Sequence, residues 1–269
     1  MHPRFAGLTD TGLLREHNED SLLLLPEYRV VAVADGMGGH RSGDVASQLA
    51  VSTLTDFFTI IVGRDGTWPF PADPKLSEEE NYVLTSLRLA NRRIFDRSLK
   101  TMADFGMGTT VVAAIFTKDA TKVTVGHVGD SRCYRVRGDE ILQMTRDHSL
   151  ISLAQQTAPW MSPEEISQLP PNVITRALGI REDVDVDVVT DATEVGDVYV
   201  LCSDGLSGLV ANEQIRDLVR RAGDDLERAA KDLIARANYF GGTDNITAVL
   251  ARIEDDATAS TPAAPAADG

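Results

Sequence analysis

Four apolar runs in this chain begin or end on an aspartate. Val30 to Ala34 leads into Asp35-Gly36, Val123 to Val128 into Gly129-Asp130, Tyr199 to Cys202 into Ser203-Asp204-Gly205, and Asp244 stands just before Ile246 to Ile253. A carboxylate beside a core loses hydration, so it must be paired, hydrogen-bonded or bound to a cation. Brought together, several such groups repel one another, and a hard divalent cation satisfies them all: Mg2+ and Mn2+ take oxygen ligands and neutralise the carboxylates. The glycines after Asp35 and Asp204 let the backbone approach a ligand closely and offer carbonyl oxygens as further ligands. One Asp-Gly after one strand is first of all a turn. Its recurrence points to a metal site.

The elements that must position these acids follow from periodicity. Val30 to Ala34, with β-branched residues and almost no polar atom, predicts a strand buried on both faces. Strands are also expected near residues 5–12, 21–25, 107–116, 122–128, 132–137, 140–145, 184–189, 197–203 and 246–253. The four from Met107 to Thr145 form an antiparallel meander with turns at Lys118 to Ala120 and Gly138-Asp139. Val45, Leu49, Ala50, Leu54, Phe57, Phe58 and Ile61 mark one face of a helix starting at Ser42. Ser77 and Glu80 have capping-box spacing ahead of a second stripe, Val83, Leu87, Ala90, Ile94 and Phe95. Two further helices are expected around Ile215 to Val219 and Leu226 to Ala237. Helices in runs beside strands in runs imply an α+β layering. Residues 150–183 carry four prolines and no sustained strand, with one short helix capped at Ser162, and make a candidate flap beside the site. Residues 255–269, DDATASTPAAPAADG, cannot form a core and are expected to be a disordered tail.

Composition narrows the function classes. The 269 residues suffice for one large domain, expected over residues 1–254. With 26 Lys and Arg against 41 Asp and Glu, the formal charge of -15 disfavours nonspecific attraction to nucleic acid or an anionic membrane and suits a divalent cation site. No apolar run approaches a membrane span of about 20 residues, and MHPRFAGLTD lacks the layout of a signal peptide, so a cytoplasmic location is expected. Cys133 and Cys202 sit in separate strand-like contexts and read as buried thiols rather than a disulfide or metal pair. His148 reads as a hydrogen-bonded structural histidine ahead of a metal ligand. Arg15 to Asp20, taken without context, is equally a solvated charged loop.

The order of motifs resembles the metal-dependent protein phosphatases of type 2C, in their bacterial branch. The match runs from about Phe5 to Ile253: RxxNED at Arg15 to Asp20, ADGMGG at Ala34 to Gly39, GTT at Gly108 to Thr110, VGDSR at Val128 to Arg132, DHS at Asp147 to Ser149, TRALG at Thr175 to Gly179, CSDGL at Cys202 to Leu206 and TDNIT at Thr243 to Thr247. The resemblance implies a four-layer α-β-β-α sandwich with two central antiparallel sheets and two core metal ions, Mn2+ or Mg2+, at one end, with a third ion in bacterial relatives. It implies that Asp35 bridges both core metals, with Glu19 and the Gly36 carbonyl on one side and Asp204 and Asp244 on the other. Asp20 would hold metal-bound water, Asp130 with Asp204 the third ion, and Arg15 the substrate phosphate. The implied catalytic set is therefore Asp35, Asp204, Asp244 and Arg15. The reaction is hydrolysis of phosphoserine or phosphothreonine by a metal-bridging hydroxide with no phosphoenzyme.

The resemblance further implies phosphorylated protein substrates and a cognate serine/threonine kinase as partners, for a monomeric enzyme. Animal members carry a histidine where this chain has Met37, which leaves His40 or, as the expectation here, a metal-bound water near Asp130 to protonate the leaving oxygen. Two rival readings remain: a phosphatase of small phosphate esters, and a non-catalytic module that keeps the fold, which would predict missing ligands.

Overall fold

Period-two alternation of apolar side chains builds the centre of the protein as two facing sheets. The computed structural model describes residues 1–38, 42–64, 66–100, 102–170 and 172–256. Its strands are β1 (His2–Asp10), β2 (Asp20–Leu25), β3 (Val30–Met37), β4 (Gly108–Thr109), β5 (Val111–Phe116), β6 (Lys122–Val128), β7 (Arg132–Arg137), β8 (Glu140–Gln143), β9 (Asp187–Ala192), β10 (Val198–Cys202) and β11 (Ile246–Glu254). One sheet runs β1-β11-β10-β7-β8, the other β2-β3-β5-β6-β9 with β4 pairing to β3, and every pairing is antiparallel.

Each sheet buries both faces, and parity sorts the side chains. Val31 and Val33 of β3, Tyr199 and Leu201 of β10, and Val249, Ala251 and Ile253 of β11 meet between the sheets. Their neighbours Val30, Ala32 and Ala34 face α1 (Ser42–Asp56) and α2 (Glu78–Ser98) on one outer side. Val198, Val200, Ile246, Ala248 and Leu250 face the opposite outer layer, where α6 (Asn212–Ala222) and α7 (Leu226–Tyr239) lie. The result is the expected four-layer α-β-β-α sandwich. α2 starts as its sequence predicts, with Ser77 Oγ accepting from Glu80 N–H and Glu80 Oε2 from Ser77 N–H.

Several local expectations are corrected. The meander is two hairpins in different sheets: β5 pairs β6 in one sheet and β7 pairs β8 in the other. The chain crosses between them at Gly129-Asp130-Ser131, where Gly129 has φ +110, a region open to glycine but not to side-chain-bearing residues. Residues 150–183 hold two helices rather than one, α3 (Leu150–Thr157) and α4 (Pro163–Ser167). The short α5 (Asp204–Ser207) follows β10 directly. The helix from Ser42 continues as a π-turn over Phe57–Val62, with Gly63 N–H bonding to the Phe58 carbonyl five residues back.

That combined stretch, Ser42–Val62, is a 21-residue helix of mean hydropathy 1.5, so one segment does have the length and composition of a membrane span. Here Ala46, Ala50, Leu54, Phe57 and Phe58 are buried against the sheet, which accounts for its hydrophobicity. Of the expected tail, Asp256 is fixed by an ion pair to the N-terminal amine at 2.9 Å; residues 257–269 lie outside the described residues.

Candidate metal centre

The inter-sheet stripe turns polar at one end. Counting by twos, Val31 and Val33 continue into Asp35, Leu24 and Leu22 into Asp20, Leu201 into Ser203, and Val249 into Thr247. The β2–β3 register sets Asp20 directly opposite Asp35, although like charges facing across a ladder are destabilising. From the other sheet, Asp204 follows β10 and Asp244 precedes β11, two adjacent antiparallel strands, so their ends coincide. Asp130 arrives on the crossing between β6 and β7. The structure thus brings together Glu19, Asp20, Asp35, Asp130, Asp204 and Asp244.

Their electrostatics follow from this crowding. Burial pushes the Asp35 carboxyl well above its usual range, and Asp20, Asp204, Asp130 and Asp244 push it further. Asp204, also raised first by burial and then by Asp244, lies within hydrogen-bonding reach of Asp35. Asp130 is raised to about 7 by burial and by Asp204 and Asp147. Asp20 is likewise raised to about 7 by burial, even though two hydroxyls donate to its Oδ2, Ser203 at 2.8 Å and Thr247 at 2.7 Å. Glu19 is raised by burial and by Asp44, against a hydrogen bond from the Gly43 backbone. Arg15 Nη2 donates to Asp244 Oδ2 at 2.7 Å; its own charge, opposed by partial burial, is favoured by Asp244, Glu19 and Asp35.

These residues fit a hard divalent cation. All the donors are oxygens, and the acids far outnumber the facing guanidinium. The Asp20 and Asp130 Oδ1 atoms are buried with no hydrogen-bond partner, which costs free energy unless a cation takes them. Gly36 lies against this group: its N–H donates to the Glu19 carbonyl at 3.1 Å, and a Cβ there would stand 2.0 Å from the Gly43 carbonyl oxygen. Only glycine permits that approach of the Glu19 loop, β3 and the start of α1.

Sequence reasoning assigned no role to the polar residues that hold the acids in place. Asn245 is buried, its Oδ1 accepting from Glu19 N–H at 2.8 Å and its Nδ2 donating to the Thr11 and His17 carbonyls at 2.9 Å each. Thr109 Oγ1 donates to the Asp35 carbonyl at 2.9 Å, and Thr110 Oγ1 bonds Ser131 Oγ at 2.7 Å, tying β3 to the Asp130 crossing. The signal was available: each is a polar residue within or beside an apolar run, where a hydrogen-bonding duty justifies it.

A profile of the family described as protein phosphatase 2C matches residues 15–240, which takes in every one of these acids except Asp244, four residues further on. The chain belongs to the protein phosphatase 2C family. Curated relatives include a serine/threonine phosphatase of Listeria welshimeri, 36% identical over 93% of this chain and 95% of its own length, and the protein phosphatase PhpP of Streptococcus pneumoniae, 34% identical over 93% and 97%. Among solved structures, the serine/threonine phosphatase PstP of Mycobacterium tuberculosis superposes with a TM-score of 0.80 at 32% identity, covering 95% of this chain and 100% of that one. The catalytic domain of PstP in complex with two manganese ions matches with a TM-score of 0.77 at 32% identity over 94% and 99%. The protein is accordingly a metal-dependent phosphatase of phosphoproteins, with Mn2+ or Mg2+ as its cofactor.

In this protein phosphatase 2C, a cavity of about 450 Å3 opens over the acids. Asp130, Asp204 and Asp244 line it, and so do Ser149, Ile151 and Asn172 from the region between β8 and β9. Arg132 braces this lining through two hydrogen bonds from Nε and Nη2 to Asp147. His40 lies outside the described residues, so the structure does not place it against the site.

A second group of ligand-type side chains, His127, His148 and Asp187, lies apart from the acids. His148 Nδ1 accepts from Gly129 N–H at 3.0 Å, so its proton sits on Nε2, facing Asp187 at 3.3 Å in poor alignment. Asp187 is held by Arg176, and His127 Nε2 donates to the Arg146 carbonyl at 2.8 Å. Burial depresses both imidazoles, His148 to about 4, so they stay neutral. The two rings stack with centroids 4.6 Å apart, and the bonds between His148 and Gly129 stitch the Asp130 crossing to the residues that follow β8.

Proposed function

We propose that this chain is a metal-dependent protein serine/threonine phosphatase that hydrolyses phosphoserine and phosphothreonine by direct attack of water on phosphorus. The observation that carries the reading is the crowded, mutually repelling set of buried Asp20 and Asp130 and half-buried Glu19, Asp35, Asp204 and Asp244, with Arg15 at its edge. Two cations bound there would supply Lewis acidity and a water acidified enough to serve as nucleophile near neutral pH. Asp35, reached by acids from both sheets, would be a ligand of the bound ions, and Glu19, the Gly36 carbonyl, Asp204 and Asp244 would complete the set that holds them. Asp20, whose Oδ2 is occupied by Ser203 and Thr247, offers Oδ1 to a coordinated water. Asp130 with Asp204 would hold a further ion.

Arg15, exposed beside Asp244, grips the phosphate through its planar fork, stabilises charge on the equatorial oxygens and aligns phosphorus for in-line attack. The buried thiols take no part, since burial pushes Cys133 and Cys202 upward and leaves neither as a thiolate. Domain limits of 1–254, a monomeric state, a cytoplasmic location and opposition to a serine/threonine kinase complete the reading.

The decisive measurement is phosphate release from a phosphothreonine peptide with Mn2+, with EDTA, and in Asp204→Asn. Release that needs the metal and is lost in the variant supports the reading. Metal binding without release from peptide, but with release from 4-nitrophenyl phosphate, would move the substrate class to small esters.

A further inference from the structure

We propose that the groove between α6 and α7 binds an acidic segment of the phosphoprotein substrate, beyond an apolar contact beside the phosphorylated residue; this rests on the phosphatase reading above. The groove holds about 630 Å3 and is lined by Leu218 and Arg221 of α6 and by Arg228, Asp232, Arg236 and Tyr239 of α7. The α7 residues fall at intervals that share one helical face. Three arginines and one aspartate therefore line one groove, in a chain of formal charge -15.

Most arginines of this protein are neutralised: Arg132, Arg135, Arg137, Arg216, Arg220 and Arg252 each pair with a carboxylate at close range. Among the described residues, Arg221 and Arg236 have no such partner, and Arg228 reaches Asp232 only at 3.6 Å. The Arg236 guanidinium lies 5.8 Å over the Phe240 ring. Unpaired like charges held in one concave surface repel until an anion enters, and arginine clusters are how acidic segments are recognised. Against the long-range repulsion of so acidic a protein, a local basic groove is what lets an acidic chain dock.

The end of α7 is tied to the loop that carries Arg15. α7 ends at Tyr239, and the Gly242 carbonyl just beyond accepts from Leu13 N–H at 2.8 Å and Leu14 N–H at 3.3 Å. Leu13 and Leu14 are 64% and 70% exposed and Tyr239 is 80% exposed, an unusual set of apolar side chains to leave in water. The next residue, Arg15, is the one on Asp244. A peptide with its phosphate at Arg15 thus meets Leu13, Leu14 and Tyr239 before it reaches the three arginines, which matches an apolar residue near the phosphorylated one and Asp or Glu further along.

The test compares phosphothreonine peptides of one core sequence, carrying a tail of either glutamates or serines, on wild type and on Arg221→Glu/Arg228→Glu/Arg236→Glu, with 4-nitrophenyl phosphate alongside. The wild type is expected to show a KM about tenfold lower for the glutamate tail at low salt, an advantage lost at high salt. The triple variant should lose that advantage while keeping kcat and its rate on 4-nitrophenyl phosphate. Fluorescence anisotropy of the unphosphorylated glutamate-tailed peptide should show the same loss of binding. Equal KM values for both tails in the wild type, or an advantage that persists in the variant, would overturn the groove assignment while leaving the phosphatase reading intact. Turnover of 4-nitrophenyl phosphate with no turnover of either peptide would instead overturn the substrate reading and the assigned occupant with it.

Discussion

Stripped of divalent cations, this protein should lose stability as pH rises, and Asp130 allows the effect to be sized. Its carboxyl, 9% exposed, is displaced by burial and by Asp204 and Asp147 from the usual 3.8 to about 7. A raised carboxyl pKa means that the folded chain holds a proton the unfolded chain has released. Between about pH 4 and pH 7 the native state therefore binds more protons, stability falls as pH rises through that window, and it levels off above it. The displacement corresponds to about 4 kcal/mol at most from this one residue. Asp20 and Asp35, displaced the same way, add to the slope. Between pH 5 and pH 8 the two units below about 7 amount to about 2.7 kcal/mol, so at about 2–4 °C per kcal/mol for a chain of this size Asp130 alone lowers the melting temperature by about 5–10 °C.

Thermal melts in EDTA across that range, with and without Mn2+, read the effect directly. Mn2+ should flatten the dependence, because the ion takes the place of the protons. Asp130→Asn, whose side chain cannot titrate, should melt higher than the wild type in EDTA at pH 8 and alike at pH 5. A metal-free wild type that melts at one temperature throughout, or a D130N protein with the full wild-type slope, would refute the argument that these acids are stabilised only by protons or cations.

Arg15→Ala should lower kcat/KM on a phosphothreonine peptide by about 10- to 100-fold, the loss of a charge-assisted pair of about 1.5–3 kcal/mol, in steady-state assays at saturating Mn2+. Asn245→Ala leaves the buried Glu19 N–H and the Thr11 and His17 carbonyls unpaired, and should lower stability by about 2–5 kcal/mol in urea unfolding followed by circular dichroism. Cys202, pushed to about 12, and Cys133, pushed higher still, are fully buried, so a thiol reagent at pH 8 should label the native protein at neither position and the denatured protein at both.

The acids of the site were legible because they interrupt apolar runs, and β3 was legible because nothing but a two-face-buried strand explains Val30 to Ala34. Motif order supplied the rest of the ligand set. The assignment of strands to sheets was less accessible: sequence neighbours usually pair, and only the left-handed backbone at Gly129 sends β7 to the other sheet instead of extending the hairpin of β5 and β6. The polar braces were missed for a related reason. Asn245, Ser203 and Thr247 gain their meaning from partners more than 180 residues away, Asp20 and Glu19, and such pairings become visible only once β2 of one sheet faces β10 and β11 of the other.

The same alternation that packs the two sheets also builds the site. Val31, Val33, Leu201, Val249 and Ile253 are completely buried between the sheets, each contributing about 1.5–3 kcal/mol, and a slip of one residue would turn each of them to the other face. That sum exceeds the roughly 4 kcal/mol that Asp130 costs when ionised. The apolar stripe therefore fixes the register, and the register forces Asp20 against Asp35 and draws Asp204 and Asp244 in from the facing sheet. Because the core holds the carboxylates at short range before any cation arrives, the free energy a cation recovers on binding is stored in advance, and the ligands need little reorganisation to receive it. The exposed edge of this arrangement, Arg15 on Asp244, is the proposed entry for the phosphate, and it is also the point from which Leu13, Leu14 and Tyr239 lead away to the arginines of α6 and α7.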